Sequence, residues 1–277
     1  MQKRNVLNSP RLEELKRHRR KVFLNKILIF FGGLVAMLIL AVYLSGLKAL
    51  KISDINISGN KVVDPEAIKT DIEQSIAGKY IWLFPKDNII YYSSSSIKNN
   101  LQVKFKRLDK ISLTISKNKS LQVSVSEREP KYTWCGPDPT ANPQTCYFMD
   151  ENGYIFDVAP YFSGSVYFKF YGSGDLGSYF SATKFQQLVS FKEVLTKMGL
   201  KLTELDIADN GEVDIFLTSS SGPKIIFNID ADFQNLAENL QAALTTEPLQ
   251  TEFKTKYAKL QYIDLRFGNK VYYKFSN

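Results

Sequence analysis

The sequence predicts an α+β protein with three parts: one membrane-spanning helix, a small β-α-α-β-β domain, and a larger strand-rich domain with two helices. A single long apolar run near the N-terminus predicts the first part. Short segments in which apolar and polar residues alternate predict strands through most of residues 49–277. Helical spacing of apolar residues returns in only four segments after the run, which indicates that helices are few there.

The apolar run "ILIFFGGLVAMLILAVYLSGL", residues 27–47, has no charged side chain. A helix of this length would extend about 31 Å, enough to cross a hydrocarbon core of about 30 Å. Residues 1–26 carry nine Lys or Arg and two Glu, so the positive-inside rule predicts a cytoplasmic N-terminus and an exported remainder. A buried soluble helix and a cleaved signal peptide are the alternatives. The length of the run and the poor cleavage site after it favour an uncleaved anchor in the cytoplasmic membrane.

The positive charge of the chain belongs to the tail. Residues 27–277 hold 27 basic and 26 acidic side chains, so nucleic-acid binding is not expected of the exported part. Gly172, Gly174 and Gly177 have the spacing of a dinucleotide-binding turn, but no suitable acidic residue follows about 20 positions later. We therefore interpret this segment as a loop and expect neither a cofactor nor a small-molecule substrate.

Two cysteines, Cys135 and Cys146, flank the turn-rich segment "GPDPTANPQT". In an exported domain such a pair is expected to form a disulfide, which would contribute about 3 kcal/mol by closing the loop. The one histidine, His18, lies in the tail, so a zinc site or a Cys–His nucleophile is not expected outside the membrane.

Catalytic motifs are weak. Ser95-x-x-Lys98 and Ser181-x-x-Lys184 match the Ser-x-x-Lys pattern of penicillin-binding enzymes. Neither Ser-Asp-Asn nor Lys-Thr-Gly follows them, so we expect a protein that is not an enzyme.

The first exported domain is predicted over residues 49–128. The segment "KISDINISG" alternates like a strand, and Asp64-Pro65-Glu66 has the residues that begin a helix. A second helix is predicted over residues 89–101. Two further alternating segments, "KISLTISKN" and "LQVSVSERE", predict a terminal hairpin.

The second domain is predicted over residues 129–277. Apolar stripes predict helices over residues 181–198 and from residue 233 to residue 244. Turns are expected at residues 209–211 and 219–222. Strands are predicted at 147–149, 154–158, 166–170, 202–208, 213–217, 224–228, 261–266 and 270–275.

The last strand, "KVYYKF", is the best candidate for a binding surface that the residues alone offer. As the final strand it is expected to be a sheet edge, whose unpaired backbone groups can accept a strand from a partner. Lys270, Tyr272 and Lys274 would then occupy one face and Val271, Tyr273 and Phe275 the other. A protected edge is the alternative interpretation, because lysine discourages strand pairing.

Several segments together resemble one family. "ISDINISGNKVVDPEAI" resembles the start of a POTRA domain, and "LQVSVSEREPKYTW" resembles its end and its junction with a β domain. "CYFMDENGYIFDVAP" and "YIDLRFGNKVYYKF" resemble later parts of that β domain. With the basic tail and the single span, nearly the whole chain is similar to the cell-division family FtsQ/DivIB. The Cys135/Cys146 loop and the lack of a long polar C-terminal tail depart from the pattern.

The resemblance implies a non-enzymatic, single-pass scaffold of the bacterial divisome, with its POTRA and β domains periplasmic or extracellular. Its partners would be small single-span coiled-coil proteins like FtsB and FtsL. A POTRA-based polypeptide-transport protein is the alternative. By position the resemblance points to Arg266, Phe267, Tyr272 and Tyr273. With the edge-strand argument, the expected partner-binding residues are Arg266, Phe267, Lys270, Val271, Tyr272, Tyr273 and Phe275.

Overall fold

A computed structural model describes residues 10–141, 144–162, 166–218 and 222–276 of the chain. A single long helix, α1 (Pro10–Ser45), includes residues 27–45 of the predicted 27–47 apolar run and the described part of the basic tail. From Glu14 to Ser45 it is long and apolar enough to cross a membrane. Its apolar side chains are exposed all round: Phe30 is 67 % and Met37 74 % exposed, unlike the side chains of a helix in a soluble core.

The described chain divides into two compact units, and α1 belongs to the first. Within the described residues, the first unit comprises 10–60, 64–100 and 111–125, and the second comprises 61–63, 101–110 and 126–276. The elements up to residue 127 are a 3₁₀ turn (Lys48–Leu50), β1 (Asp54–Ser58), α2 (Pro65–Ile76), β2 (Lys79–Tyr80), β3 (Phe84–Pro85), α3 (Ser94–Lys104), β4 (Leu108–Ile115) and β5 (Ser120–Glu127).

The smaller sheet has the strand order β1-β5-β4, with β1 parallel to β5. Helix α2 begins as predicted, because the Asp64 carboxylate accepts a hydrogen bond from the Glu66 backbone N–H at 3.1 Å and proline follows at the first helical position. Ile68 and Ile72 of α2 are fully buried. Gly59 ends β1 at φ 88°, where a Cβ would lie 2.1 Å from the Val125 carbonyl oxygen, so only glycine fits.

The predicted helix over residues 89–101 is wrong at its start. It begins at Ser94, and the chain before it forms the short antiparallel hairpin β2–β3, which the sequence did not predict. Strand alternation is too short to detect in two-residue strands.

The second unit is built on a nine-stranded sheet of order β14-β13-β12-β11-β10-β9-β6-β7-β8. Its elements are β6 (Tyr132–Trp134), β7 (Tyr147–Met149), β8 (Ile155–Val158), β9 (Phe168–Tyr171), α4 (Phe185–Lys197), β10 (Glu204–Ile207), β11 (Glu212–Phe216), β12 (Lys224–Asn228), α5 (Phe233–Leu244), α6 (Leu249–Thr255), β13 (Leu260–Phe267) and β14 (Lys270–Phe275). The eight predicted strands and two predicted helices are present. β6 and α6 were not predicted, and most of the predicted 219–222 turn lies outside the described residues.

The core of this unit lies on one face of the sheet, under α4 and α5. The helices contribute Phe185, Leu188 and Leu240, and the strands contribute every second residue, such as Ile215 and Phe227. The opposite face carries the polar members of the same alternation. The register aligns Lys169, Glu204, Asp206, Asp214, Lys224, Asp264 and Tyr272 on it.

Cys135 and Cys146 are joined in a disulfide between the ends of β6 and β7. The neighbouring Trp134 is 8 % exposed, and its indole N–H donates to the Gly172 carbonyl oxygen at 2.9 Å. A Cβ on Gly172 would approach the Ile207 carbonyl oxygen to 2.9 Å, and one on Gly174 would approach Ile155 to 3.2 Å. Close packing thus accounts for the first two glycines of the Gly-x-Gly-x-x-Gly spacing.

Candidate functional site

Strand β14 forms one edge of the nine-stranded sheet. It pairs antiparallel with β13, with Tyr262 opposite Lys274, Ile263 opposite Tyr273, and Asp264 opposite Tyr272. Within the part of the chain that the structure describes, no strand pairs with its other side. One side of this six-residue strand is therefore open.

The hydrogen-bond register shows which backbone groups face outward. The Ser276 N–H donates to the Lys259 carbonyl oxygen at 2.7 Å, so the intervening Leu260–Phe275 pair is of the non-hydrogen-bonded type. The pairing has two register shifts, one between Leu260 and Tyr262 and one between Asp264 and Phe267. In each of them the extra residue belongs to β13, so β14 is a regular strand. The alternation then directs the N–H and C=O groups of Val271, Tyr273 and Phe275 away from β13, toward the open edge.

The side chains of these three residues are anchored on the helix-covered face. Val271, Tyr273 and Phe275 are partly buried against the main core, and the rings of Tyr273 and Phe275 lie 5.9 Å apart in an edge-on arrangement. The hairpin turn is tied to α5, since the Asn239 side-chain amide donates to the Gly268 carbonyl oxygen at 3.2 Å. The edge strand is consequently held in place by packing and hydrogen bonding to the rest of the second unit.

The opposite face of the hairpin presents an exposed aromatic pair. Phe267 is 55 % exposed and Tyr272 is 49 % exposed, with ring centroids 5.1 Å apart in a T-shaped arrangement. Lys270 and Lys274 are exposed on the same strand. An incoming strand would meet backbone donors and acceptors, two rings and two positive charges.

Arg266 holds this aromatic pair in place. Its guanidinium donates to the Asp264 carboxylate at 2.6 and 2.9 Å and to Glu212, and its Cζ lies 5.8 Å from the centre of the Phe267 ring. Although burial disfavours the Asp264 carboxylate, hydrogen bonds from Arg266 hold its pKa below the usual value. The same bonds to Asp264 raise the pKa of Arg266.

The other edge of the sheet, β8, is covered. The Ile155 N–H donates to the Ser178 carbonyl oxygen at 2.9 Å, and the Gly177 N–H donates to the Ile155 carbonyl oxygen at 2.7 Å. The Arg107 guanidinium also donates to the Asp157 carboxylate at 2.8 Å. The two backbone bonds occupy the N–H and C=O of Ile155, which would otherwise be available for pairing, and the ion pair places the Arg107 side chain beside Asp157.

The structure brings all seven expected partner-binding residues together on one hairpin: Arg266, Phe267, Lys270, Val271, Tyr272, Tyr273 and Phe275. The sequence analysis did not single out Asp264 or Glu212 as partners of Arg266. The spacing of Asp264 and Arg266, two apart on a predicted strand, could have indicated the first pair. Glu212 comes from a distant strand and left no local signal.

Comparisons with known proteins add no identity. No model of a protein family matches the chain, and no curated protein matches it either.

Proposed function

We propose that the protein is a non-enzymatic, single-pass scaffold of the bacterial divisome, similar to the FtsQ/DivIB family. Strand β14 would bind an extended segment of a small single-span coiled-coil protein like FtsB, with its FtsL-like companion, outside the cytoplasmic membrane. The complex would recruit and regulate the enzymes that build the septal wall.

The open edge of β14 is the observation that carries the proposal. The outward N–H and C=O groups of Val271, Tyr273 and Phe275 recur every two residues, which is the spacing at which an added strand forms hydrogen bonds. The side chains of these residues pack on the core, which holds the strand in this position. The exposed Phe267–Tyr272 pair offers apolar contact beside the edge. Lys270 and Lys274 favour a partner strand with acidic residues at the facing positions.

The first unit supports the POTRA resemblance. Its three-stranded sheet has the last strand in the centre, flanked by β1 and β4, and two helices lie between β1 and β4 in the chain. This is the predicted β-α-α-β-β order, with an added short hairpin. A POTRA domain in this position would provide a second surface for polypeptide partners, used in recruitment to the division site.

The helix α1 supports the membrane anchor. It is long and apolar enough to span, and the basic residues of the described tail lie at its N-terminal end. By the positive-inside rule this end would remain in the cytoplasm, and both units would lie on the outer side.

The proposal is tested by blocking the outward backbone of β14 without unfolding it. Val271→Pro removes an N–H that points away from β13, and the ring obstructs an added strand. Val271→Thr is the matched control, because it keeps the N–H and the branched shape. We expect Val271→Pro to lower partner affinity by about tenfold or more, since a hydrogen bond worth ~1 kcal/mol is lost and a steric block is added.

The measurement is mass spectrometry of proteins that copurify with the full-length protein from its native membranes, alongside the thermal unfolding of each variant. Small single-span coiled-coil proteins that are lost with Val271→Pro and kept with Val271→Thr would support the scaffold. If the same partners remain with both variants at equal stability, β14 is not the binding edge. If secreted or outer-membrane polypeptides copurify instead, the transport interpretation is favoured.

A further inference from the structure

The hairpin β2–β3 of the first unit presents an apolar tip to solvent. Its tip is Ile81-Trp82-Leu83, and these side chains are 81 %, 91 % and 42 % exposed. The other tryptophan of the chain, Trp134, is 8 % exposed. A largely exposed Ile-Trp pair at the tip of a hairpin is costly in water and indicates a surface that is covered in use.

The backbone of the tip is strained to hold this arrangement. Ile81 and Trp82 have φ values of 48° and 61°, and the Leu83 N–H donates to the Tyr80 carbonyl oxygen at 3.0 Å. Such a turn ordinarily has Asn-Gly at its two central positions, because a β-branched or bulky residue with positive φ is an outlier. Two residues that suit the turn poorly occupy it, which indicates that their side chains serve a purpose other than folding.

The base of the hairpin, in contrast, is packed. The rings of Tyr80 and Phe84 lie 6.5 and 6.3 Å from that of Tyr91, and the Lys86 ammonium lies 5.6 Å from the centre of the Tyr80 ring. The Lys86 N–H donates to the Gly78 carbonyl oxygen at 3.1 Å. The tip is therefore projected by a well-held stem.

The stem is fastened to the end of the membrane helix. Asn88, which is fully buried, donates its side-chain amide to the Ser45 carbonyl oxygen at 3.0 Å, and Ser45 is the last residue of α1. The Ile52 N–H donates to the Asp87 carbonyl oxygen at 2.8 Å, and the Ile89 N–H donates to the Leu50 carbonyl oxygen at 2.9 Å. These bonds join the segment after β3 to the segment that follows α1.

The stem of the hairpin consequently lies beside the C-terminal end of α1. Strand β3 contacts α1 directly, with Cα atoms of the two elements within 8 Å. Trp82 is two residues from Phe84, so their Cα atoms are at most about 7.6 Å apart. Since both residues of β3 are at most three positions from Trp82, the Trp82 Cα lies within about 20 Å of α1.

The charges around the tip suit a membrane surface. Lys79 and Lys86 lie on or beside the hairpin stem, and Lys48 and Lys51 lie in the segment that follows α1, with Asp87 as the acidic partner of Lys51 at 3.2 Å. Tryptophan prefers the headgroup level of a bilayer, and lysines beside it attract anionic lipid headgroups. Both preferences are met at this hairpin.

From these observations we infer that the Ile81–Leu83 tip inserts into the outer headgroup and acyl boundary of the bilayer that α1 spans. The inference rests on the proposed membrane anchor and goes beyond it, because it gives the first unit a second membrane contact. Since α1 tethers the hairpin to the bilayer, even a weak contact is occupied most of the time. Two contacts would fix the orientation of the first unit over the membrane.

The test is quenching of tryptophan emission by lipids with brominated acyl chains. The full-length protein is placed in nanodiscs of phosphatidylethanolamine and phosphatidylglycerol, with and without bromine near the headgroup end of the chains. The reference sample is the same protein kept soluble by an amphipathic polymer, without lipid. We expect the wild-type tryptophan emission to lie at shorter wavelength in the nanodiscs than in this reference, and to be quenched by the brominated lipids. Trp82→Phe should abolish the quenching, since Trp134 is buried in the second unit.

A second variant separates insertion from folding. Ile81→Asn keeps the reporter Trp82 and places a favourable residue at positive φ, so its thermal midpoint should not fall and its quenching should weaken. Val103→Asn, which removes another exposed aliphatic side chain, should leave the quenching unchanged. A phosphatidylcholine disc reports how much of the contact depends on anionic headgroups.

The outcomes are distinct. Protein that enters the discs but shows no quenching of Trp82 would overturn the inference while leaving the anchor intact, and would indicate a protein partner for the tip. Protein that fails to enter the discs at all would refute the anchor itself. Quenching that survives Ile81→Asn unchanged would also contradict the inference, because the apolar tip would then not be the inserted group.

Discussion

Strands β8 and β14 end the same sheet on opposite sides, yet their surroundings differ. The backbone of Ile155 in β8 exchanges hydrogen bonds with residues 177 and 178, whereas the outward groups of Val271 and Tyr273 in β14 have no strand beside them in the described residues. The start of the β8 edge is thus covered by the chain itself. The uncovered edge is then the one to examine for function.

Arginine is used differently near the two edges. Close to β8, Arg128 is largely buried, bonds Asp150 at 2.5 Å and stacks 4.0 Å from the centre of the Tyr154 ring. At β14, Arg266 is more than a third exposed and supports a solvent-facing aromatic pair. Burial makes the first arginine a stability element, whereas the second, though paired with Asp264 and Glu212, lies at the surface beside the open edge.

The largest expected stability effect is that of Arg128→Ala. Asp150 is 5 % exposed and accepts the backbone N–H groups of Asn152 and Tyr154 at 2.9 Å, which holds the turn before β8. Removal of its cationic partner leaves a buried charge, so the free energy of unfolding should fall by about 3–5 kcal/mol.

Chemical denaturation of the full-length protein measures the loss caused by Arg128→Ala, and hydrogen exchange of the Ile155 amide reports the covering of β8. Arg128→Lys is the control and should lose less, since it keeps the charge without the planar stacking. An unchanged midpoint and an unchanged Ile155 exchange rate would show that this network does not secure the covered edge.

A smaller effect is expected of Asp264→Asn at the open edge. The hydrogen bonds of Arg266 outweigh burial and lower the pKa of Asp264, so its contribution is present above the unfolded pKa of about 3.9 and is lost as pH falls through the folded pKa. The variant should be less stable than the wild type by about 1–3 kcal/mol at pH 7.

Thermal or chemical unfolding over a pH series checks the Asp264 prediction. The difference in unfolding free energy between wild type and Asp264→Asn should shrink as the solution is acidified below about pH 4. A difference that stays constant across the series would mean that the Asp264–Arg266 ion pair does not stabilise the hairpin.

The smallest effect is expected in the middle of the sheet, between the two edges. Asp206 on β10 lies directly opposite Asp214 on β11, and burial together with the Asp214 charge raises the pKa of Asp206. Because a raised carboxyl pKa penalises the charged folded state, Asp206→Asn should stabilise the protein by about 0.2–1 kcal/mol at pH 7.

The gain from Asp206→Asn should vanish in acid, where the wild-type carboxyl is itself protonated. The same pH series measures this gain: at pH 7 the Asp206→Asn variant should be more stable than the wild type, whereas Asp264→Asn should be less stable. Asp54→Asn, at an exposed position of β1, is the control and should have no effect. A loss of stability at neutral pH would show that the Asp206 charge is needed on this face.

The sequence predicted those features of the candidate site that depend on residue spacing within one strand. Alternation in "KVYYKF" assigned Val271, Tyr273 and Phe275 to one face, and their partial burial against the core agrees with it. Whether this last strand would be an edge depended on eight other strands, whose order follows from long-range pairing that alternation does not encode.

The sequence alone determined the long apolar helix, the alternating strands and the capped start of α2, because each depends on spacing within a few residues. The tertiary structure alone decided the sheet order, the covering of β8 by residues 177–178, the link of Arg266 to Glu212, and the fastening of Asn88 to the end of α1. These contacts join residues that are far apart in the chain. Packing and backbone hydrogen bonding select them together, so no local pattern specifies any one of them.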